Sequence, residues 1–463
     1  LHYNLGNDTF ELKNELLPLF ENYRSWDCAM ADADNNGRLD LFFAHAHNFP
    51  PGSTPQPCKF YLQQTDGTFI IDTTYEFGVQ FKPYTIPIWT DYDLDGDADL
   101  FVGSGPGGSP GEDFCYRNLL KETGSFKLER ITEAPFNSLQ DGQVYNTVDF
   151  DNDGDFDICL TNYAGAKTRF YVNTPFGYVE TNTPFTLQAG YLANAWGDVD
   201  NDGDLDVLIT RDGTTTVAMY ENQGGVFSPL KKAGEVNANT NACGLAFADY
   251  DNDGDLDFYV NGAASGRALF RNDTLAGVRK WVQISLEGVQ SNRSAIGALL
   301  RLKANIGGQA VWQIREVLAH NSFQSQHDLR QHFGLNDATV IDSLVVRWPS
   351  GLEQTFTQLT PNAFYRLREG ENIGLIVSAP EQTRAVALRI QPNPVSREFW
   401  IQSEYRIRSV EVFDSTGKAL PVKVTLQDRG AQIWLLGQAP AGIYTVRALF
   451  ENGQAGIGQM MKI

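Results

Sequence analysis

The stretch Asp249-Tyr250-Asp251-Asn252-Asp253-Gly254-Asp255-Leu256-Asp257 has close copies beginning at Asp32, Asp91, Asp149 and Asp198, with successive starts 59, 58, 49 and 51 residues apart. A segment carrying a carboxylate at every second position cannot be a core strand, because unpaired charges are too costly to desolvate. The pattern demands a cation. Ca²⁺ fits best: it accepts six to eight oxygen ligands in flexible geometry, and a Gly at the sixth position allows the sharp turn that wraps side chains around it.

In the last copy the expected ligands are the side chains of Asp249, Asp251, Asp253 and Asp257 with the backbone carbonyl of Asp255. The same positions hold Asp91, Asp93, Asp95, Asp97 and Asp99 in the second copy, and Asp149, Asp151, Asp153, Asp155 and Asp157 in the third. In the fourth they hold Asp198, Asp200, Asp202, Asp204 and Asp206. The first copy departs, with Asp32, Asp34 and Asp40 as its carboxylates, Asn36 at position five and Arg38 at position seven. About five structural Ca²⁺ ions are expected, the first held most weakly.

An EF-hand is excluded by its closing ligand, a Glu at position twelve. Here that position is Phe43, Val102, Leu160, Ile209 or Val260. The residues after each loop are β-branched or aromatic, so the loops are expected between strands.

The five loops hold 23 of the 57 carboxylates, so the net charge of −21 is mainly a metal-site signature. It argues against nucleic acid or an anionic membrane as partner, since no basic stripe is present to displace counterions. No stretch reaches the roughly 18 apolar residues of a membrane helix. No signal peptide opens the sequence, which suggests a mature or truncated product. Cys28, Cys58, Cys115, Cys159 and Cys243 lack metal spacing and read as buried thiols rather than a disulfide framework.

A second element recurs beside the loops: Leu1-His2-Tyr3-Asn4, Phe60-Tyr61-Leu62-Gln63, Cys115-Tyr116-Arg117-Asn118, Phe170-Tyr171-Val172-Asn173, Met219-Tyr220-Glu221-Asn222 and Leu269-Phe270-Arg271-Asn272. Each unit reads as strand, acidic loop, apolar strand, aromatic strand, Gly turn and short strand. Four strands in about fifty residues is the pattern of a propeller blade. These units resemble FG-GAP/VCBS repeats, β-propellers whose blades carry Asp-rich calcium loops. Six aromatic strands accompany five loops, so either upstream blades are missing or the opening strands complete a ring with later ones.

Two segments interrupt the repeat, His45 to Cys58 and Gly103 to Asp113, and long loops on a rigid scaffold are where binding surfaces lie. His45 and His47 either hold a transition metal or are ordinary exposed histidines.

From Arg279 the acidic loops stop. Lys280 to Leu286, Ser291 to Ala298, Ser322 to Gln326, His332 to Leu335 and Val345 to Gly351 together resemble the ASPIC/UnbV domain. Ser325 and His332 invite a hydrolase reading, but no nucleophile-elbow pattern flanks the serine, and packing and turn roles are favoured. After a polar linker at residues 371–384, residues 385–463 hold short alternating strands divided by Pro, Asn and Gly turns, the pattern of an Ig-like β-sandwich. This tail resembles the C-terminal sorting domain of type IX secretion cargo in Bacteroidetes; the alternative is an ordinary adhesion-type sandwich. The sorting resemblance implies an outer-membrane shuttle and a sortase as partners.

The expected architecture is therefore all-β: a calcium-loop β-propeller at 1–278, a β-rich ASPIC/UnbV domain at 279–370 and a terminal sandwich at 385–463. The expected function is that of a secreted, cell-surface, calcium-binding scaffold for adhesion or ligand binding, with a glycan or surface protein as ligand and no catalytic residues. The alternatives are a polysaccharide-acting enzyme, whose carboxylates would pair only in space, and a structural component of a secreted assembly.

Overall fold

The computed structural model describes all residues except 1, 7–8, 18–24, 46–55, 83, 105–111, 138–141, 163–164, 212–215, 230–234, 238–241, 263–266, 273–278, 379–385, 392, 394, 396, 404, 414–419, 428, 437–439, 441, 451–454 and 463. His47 and most of the two long interrupting segments fall outside this set. The chain is nearly all β and divides into two compact units, Leu1–Ala379 and Pro380–Ile463.

In the first unit, each acidic loop joins the first two strands of one antiparallel sheet. The first strands are Ser25–Ala31, Tyr84–Thr90, Gly142–Val148, Tyr191–Gly197 and Ala242–Ala248. The second strands each begin on the ninth loop residue, Asp40, Asp99, Asp157, Asp206 or Asp257. The register agrees across all five sheets, with Ala31 opposite Asp40, Thr90 opposite Asp99, Val148 opposite Asp157, Gly197 opposite Asp206 and Ala248 opposite Asp257. Every first strand also carries a register irregularity near its start, so the bulge is part of the repeat.

The aromatic strand comes third, pairing with the second. Four sheets have a fourth strand, and the fifth sheet has three among the described residues. Successive first strands are neighbours, and their apolar side chains build a shared core that includes Ile86, Ile88, Val144, Leu192 and Ala193. The opening strands His2–Gly6 and Thr9–Leu12 pair with each other in a sheet of their own and join no later strand among the described residues. Of the two alternatives for the opening strands, ring completion with later strands is not seen among the described residues.

Residues 279–378 form two four-stranded sheets around one core containing Val282, Leu300, Leu344, Val346 and Trp348. Lys280–Glu287 lies between Gln331–Asn336 and a parallel partner, Ala363–Arg368. Gly374–Ser378 then pairs antiparallel with Ala363–Arg368. This edge strand occupies part of the stretch expected to be linker, and its run Leu-Ile-Val has the β-branched composition that favours pairing over a free coil.

The second unit has two four-stranded sheets that share a core of Phe399, Ile401, Val412, Ile433, Val446 and Met460. None of the five cysteines forms a disulfide; Cys58, Cys115 and Cys159 are buried and Cys28 and Cys243 partly so. No helix among the described residues is long and apolar enough to cross a membrane.

Candidate metal centre

The acidic loops fold by using their own carboxylates as backbone acceptors. In the fifth loop the two oxygens of Asp249 accept from Asp253 N (3.0 Å) and Gly254 N (2.9 Å). Asp253 Oδ1 accepts from Asp255 N at 3.0 Å. Asp257 clasps the loop to the sheet, accepting from Tyr250 N (3.0 Å) and from Asn272 N just past the third strand (2.7 Å). The same set recurs in the fourth loop around Asp198, Asp202 and Asp206. Loop position four is left-handed throughout, at Asn35, Leu94, Asn152, Asn201 and Asn252, which is why Asn dominates there.

Three of those asparagines tie one loop to the next. Asn35 Nδ2 donates to Gly96 O at 3.1 Å. Asn152 Nδ2 donates to Asp204 Oδ1 and Asn201 Nδ2 to Asp255 Oδ1, both at 2.8 Å. In loops four and five, position seven therefore gives a side-chain oxygen to the preceding loop. The asparagine ending the aromatic strand adds a second tie: Asn118, Asn222 and Asn272 donate to Ala33 O, Phe150 O and Val199 O of the preceding unit.

The carboxylates that remain converge. Candidate ligand atoms lie within 4.8 Å of one another in the groups Asp91, Asp93 and Asp99; Asp149, Asp151 and Asp153; Asp198, Asp200 and Asp206; and Asp249, Asp251 and Asp257. A further group joins Asp95 and Asp97 to Glu122, which the loop motif gave no reason to include. No such group among the described residues contains Asp32, Asp34 or Asp40. There, Asn36 Nδ2 turns onto Asp34 Oδ2 at 2.7 Å, while Arg38 Nε donates to Gln63 O at 3.2 Å.

Buried carboxylate oxygens without a hydrogen-bond partner include Asp91 Oδ1, Asp99 Oδ2, both oxygens of Asp149 and Asp157 Oδ2. Burial pushes Asp91 up to about 8, and Glu316 beside it adds to the rise. Burial likewise pushes Asp149 and Asp198 up to about 7. Orphaned, desolvated oxygens gathered in threes are the donor set a hard divalent cation satisfies, and bound charge would reverse these shifts.

Residues 279–378 cover this loop face. Arg347 pairs with Asp91 and donates to Leu94 O at 2.6 Å. Glu316 accepts from Asp91 N at 3.1 Å and Thr90 Oγ1 at 2.7 Å. Arg315 stands close enough to Asp198 and Asp149 for both to stabilise its charge, while its own burial lowers it to about 10. Gln283 Nε2 donates to Asp249 Oδ2 at 2.6 Å, and Arg330 reaches Asp249 O and Asn252 Oδ1, both at 2.7 Å. His332 meets Gly254 O at 3.1 Å through Nε2, and its Nδ1 is unpartnered, so it has no serine partner. A cavity of about 120 Å³ remains between the first strands and residues 314–332, with Arg315 in its lining.

The segment carrying Ser322 to Gln326 reaches the first strands themselves. Phe323 packs in their shared core, with its ring edge-on to Trp26 at 6.4 Å between centroids. Leu245 N donates to Ser322 Oγ at 3.4 Å and Gln324 Nε2 to Trp26 O at 2.7 Å, so the segment touches both the first and the fifth sheet. His320 Nε2 lies 2.7 Å from Asp27 Oδ2.

Comparison with known families agrees with this organisation. Residues 149–209 and 198–260 match the FG-GAP-like repeat, and residues 288–374 match the ASPIC and UnbV domain. The chain thus carries FG-GAP-like repeats, which fit a β-propeller protein, followed by an ASPIC/UnbV domain. No curated protein matches the sequence. Among solved structures, a polysaccharide lyase aligns over 81% of this chain and 46% of its own length, at 8% identity and a TM-score of 0.14. The chain spans less than half of that lyase, and a likeness this slight carries no argument about fold or activity.

Proposed function

We propose that this is a secreted, calcium-binding β-propeller scaffold for ligand binding or adhesion at the cell surface, and not an enzyme. The observation that carries the reading is the repeated convergence of loop carboxylates whose buried oxygens lack partners. In it, Ca²⁺ is structural. Loops two to five hold it through positions one, three, five and nine and the carbonyl of position seven, and the ion fixes the strand junctions on which residues 279–378 rest. Calcium titration by calorimetry, with the melting temperature recorded in calcium and in chelator, tests this. Failure to bind about four ions, or a melting temperature indifferent to chelator, removes the reading.

The terminal unit, read as an Ig-like sandwich, serves in this proposal as the address for type IX export, recognised by an outer-membrane shuttle and a sortase. Its short alternating strands and Gly-bounded turns support that reading. Truncation at residue 379 in a type IX host should retain the protein inside the cell, and undiminished secretion would exclude the address role. Glycan arrays and surface-protein pull-downs, run with calcium and with chelator, would identify the ligand.

A further inference from the structure

The second acidic loop departs from its neighbours at position seven. In the fourth loop that residue, Asp204, is satisfied on both sides: Oδ1 accepts from Asn152 Nδ2 at 2.8 Å and Oδ2 from Gly224 N, just past the third strand, at 2.7 Å. Asp97 keeps only the second of these bonds, its Oδ2 accepting from Lys121 N at 2.8 Å. The asparagine of the preceding loop, Asn35, donates to Gly96 O at 3.1 Å and not to Asp97. Asp97 is 2% exposed, so its Oδ1 is left buried with no partner. Such an oxygen is costly to desolvate unless a donor or a cation meets it.

Ligand oxygens of Asp95, Asp97 and Glu122 lie within 4.8 Å of one another. Asp95 Oδ1 accepts from Asp97 N at 3.0 Å, and its Oδ2 is buried without a partner. Oxygens up to about 5 Å apart can share one Ca²⁺, whose ligands stand at about 2.3–2.6 Å. Glu122 comes from Leu120–Thr123, the short helix after the third strand, and among the described residues no other convergent group includes a carboxylate from outside its loop. We infer that Asp95, Asp97 and Glu122 hold a Ca²⁺ of their own, beside the ion of the second loop and sharing Asp95 with it. The cations nearby do not replace it. Arg347 is committed to Asp91 and Leu94 O, and Lys121 forms no ion pair among the described residues, its ammonium lying over Gly96. Glu122 is exposed, so water completes the shell and the ion exchanges with solvent. The inference rests on the calcium reading of the loops only in the identity of the ion and in the shared Asp95.

The test counts bound ions by equilibrium dialysis of the full chain against radioactive Ca²⁺ over a range of free concentrations. Glu122→Gln should bind one ion fewer than the wild type, and its melting temperature in chelator should not fall, because the side chain is exposed. Asp93→Asn, outside the trio, should remove the ion of the second loop, and Asp93→Asn/Glu122→Gln should lack both. A count unchanged by Glu122→Gln, with the loops filled, overturns the inference and leaves the loop reading standing. A double variant that loses no more than Asp93→Asn alone also overturns it, since Glu122 would then serve the loop ion. Loss of one ion on Glu122→Gln in a chain whose loops bind nothing would keep this site and remove the loop reading.

Discussion

Gln283 Nε2 and Asp249 Oδ2 lie 2.6 Å apart, joining the strand Lys280–Glu287 to the first residue of the fifth acidic loop. Both residues are buried. The amide fixes an oxygen that also caps Gly254 N, and so orients the carboxylate whose other oxygen caps Asp253 N. Gln283→Leu, similar in volume, should cost about 1–3 kcal/mol by leaving a buried acceptor underused. It should also weaken calcium binding at the fifth loop alone. Chemical denaturation in chelator isolates the first effect and calorimetry the second; unaltered stability in chelator would show that the contact contributes nothing.

The loop glycines offer an internal control on docking. Gly154 and Gly254 occupy the same position with the same φ of +95°. A Cβ at Gly154 meets nothing within 4 Å, whereas one at Gly254 would lie 1.9 Å from Trp281, a buried indole. Gly154→Ala should therefore cost only the left-handed penalty of about 1–2 kcal/mol. Gly254→Ala should cost clearly more, because the domain must shift. Equal denaturation midpoints for the two variants would mean that the domain does not press on the fifth loop in solution.

Acidity should stabilise the metal-free chain. Burial raises Asp91 to about 8 and Asp149 to about 7 from 3.8, so the folded state binds more protons than the unfolded state between these values. Stability from these groups is complete below pH 3.8 and is lost as pH rises through 7 to 8. Calcium replaces the protons, so its affinity should climb over the same interval. Calorimetric melting temperatures of the chelated protein should fall from about pH 5 to pH 8.5 while those of the loaded protein hold steady. A rise in the chelated series contradicts the assignment.

Phe323 lies in the core formed by the first strands, although it belongs to the domain that follows them. Phe323→Ala should cost about 3–5 kcal/mol through lost burial and the cavity left behind. Ser325→Ala, one turn residue away, should cost far less. Thermal unfolding of the two variants, followed by tryptophan fluorescence, makes the comparison.

The repeat was legible because its chemistry is local: alternate carboxylates, a glycine at position six and β-branched residues afterwards lie within a dozen positions. The junction with residues 279–378 was not. Arg315, Arg330, Arg347 and Gln283 are scattered over two sheets and carry no motif, and only folding brings them to Asp198, Asp249 and Asp91. Glu122 was invisible for the same reason, reaching Asp95 and Asp97 from a short helix after the third strand. The asparagines at position four stood in plain view, yet nothing in one loop reveals that its amide serves the next. The edge strand Gly374–Ser378 was missed because its polar surroundings outweighed five residues of good strand composition.

The asparagine tie has a direction, donor in one loop and acceptor in the next. Unit four uses both halves of this joint and units three and five carry the same residue types, Asn at position four and Asp at position seven, so one could be duplicated or exchanged there without redesigning its neighbours. The second unit cannot be copied so freely: Leu94 stands where the amide should be and packs against Phe156, Leu299 and Ile314 instead. The array thus has a fixed beginning and an extensible end. Arg330, bound to Asn252 Oδ1, is the residue that terminates it.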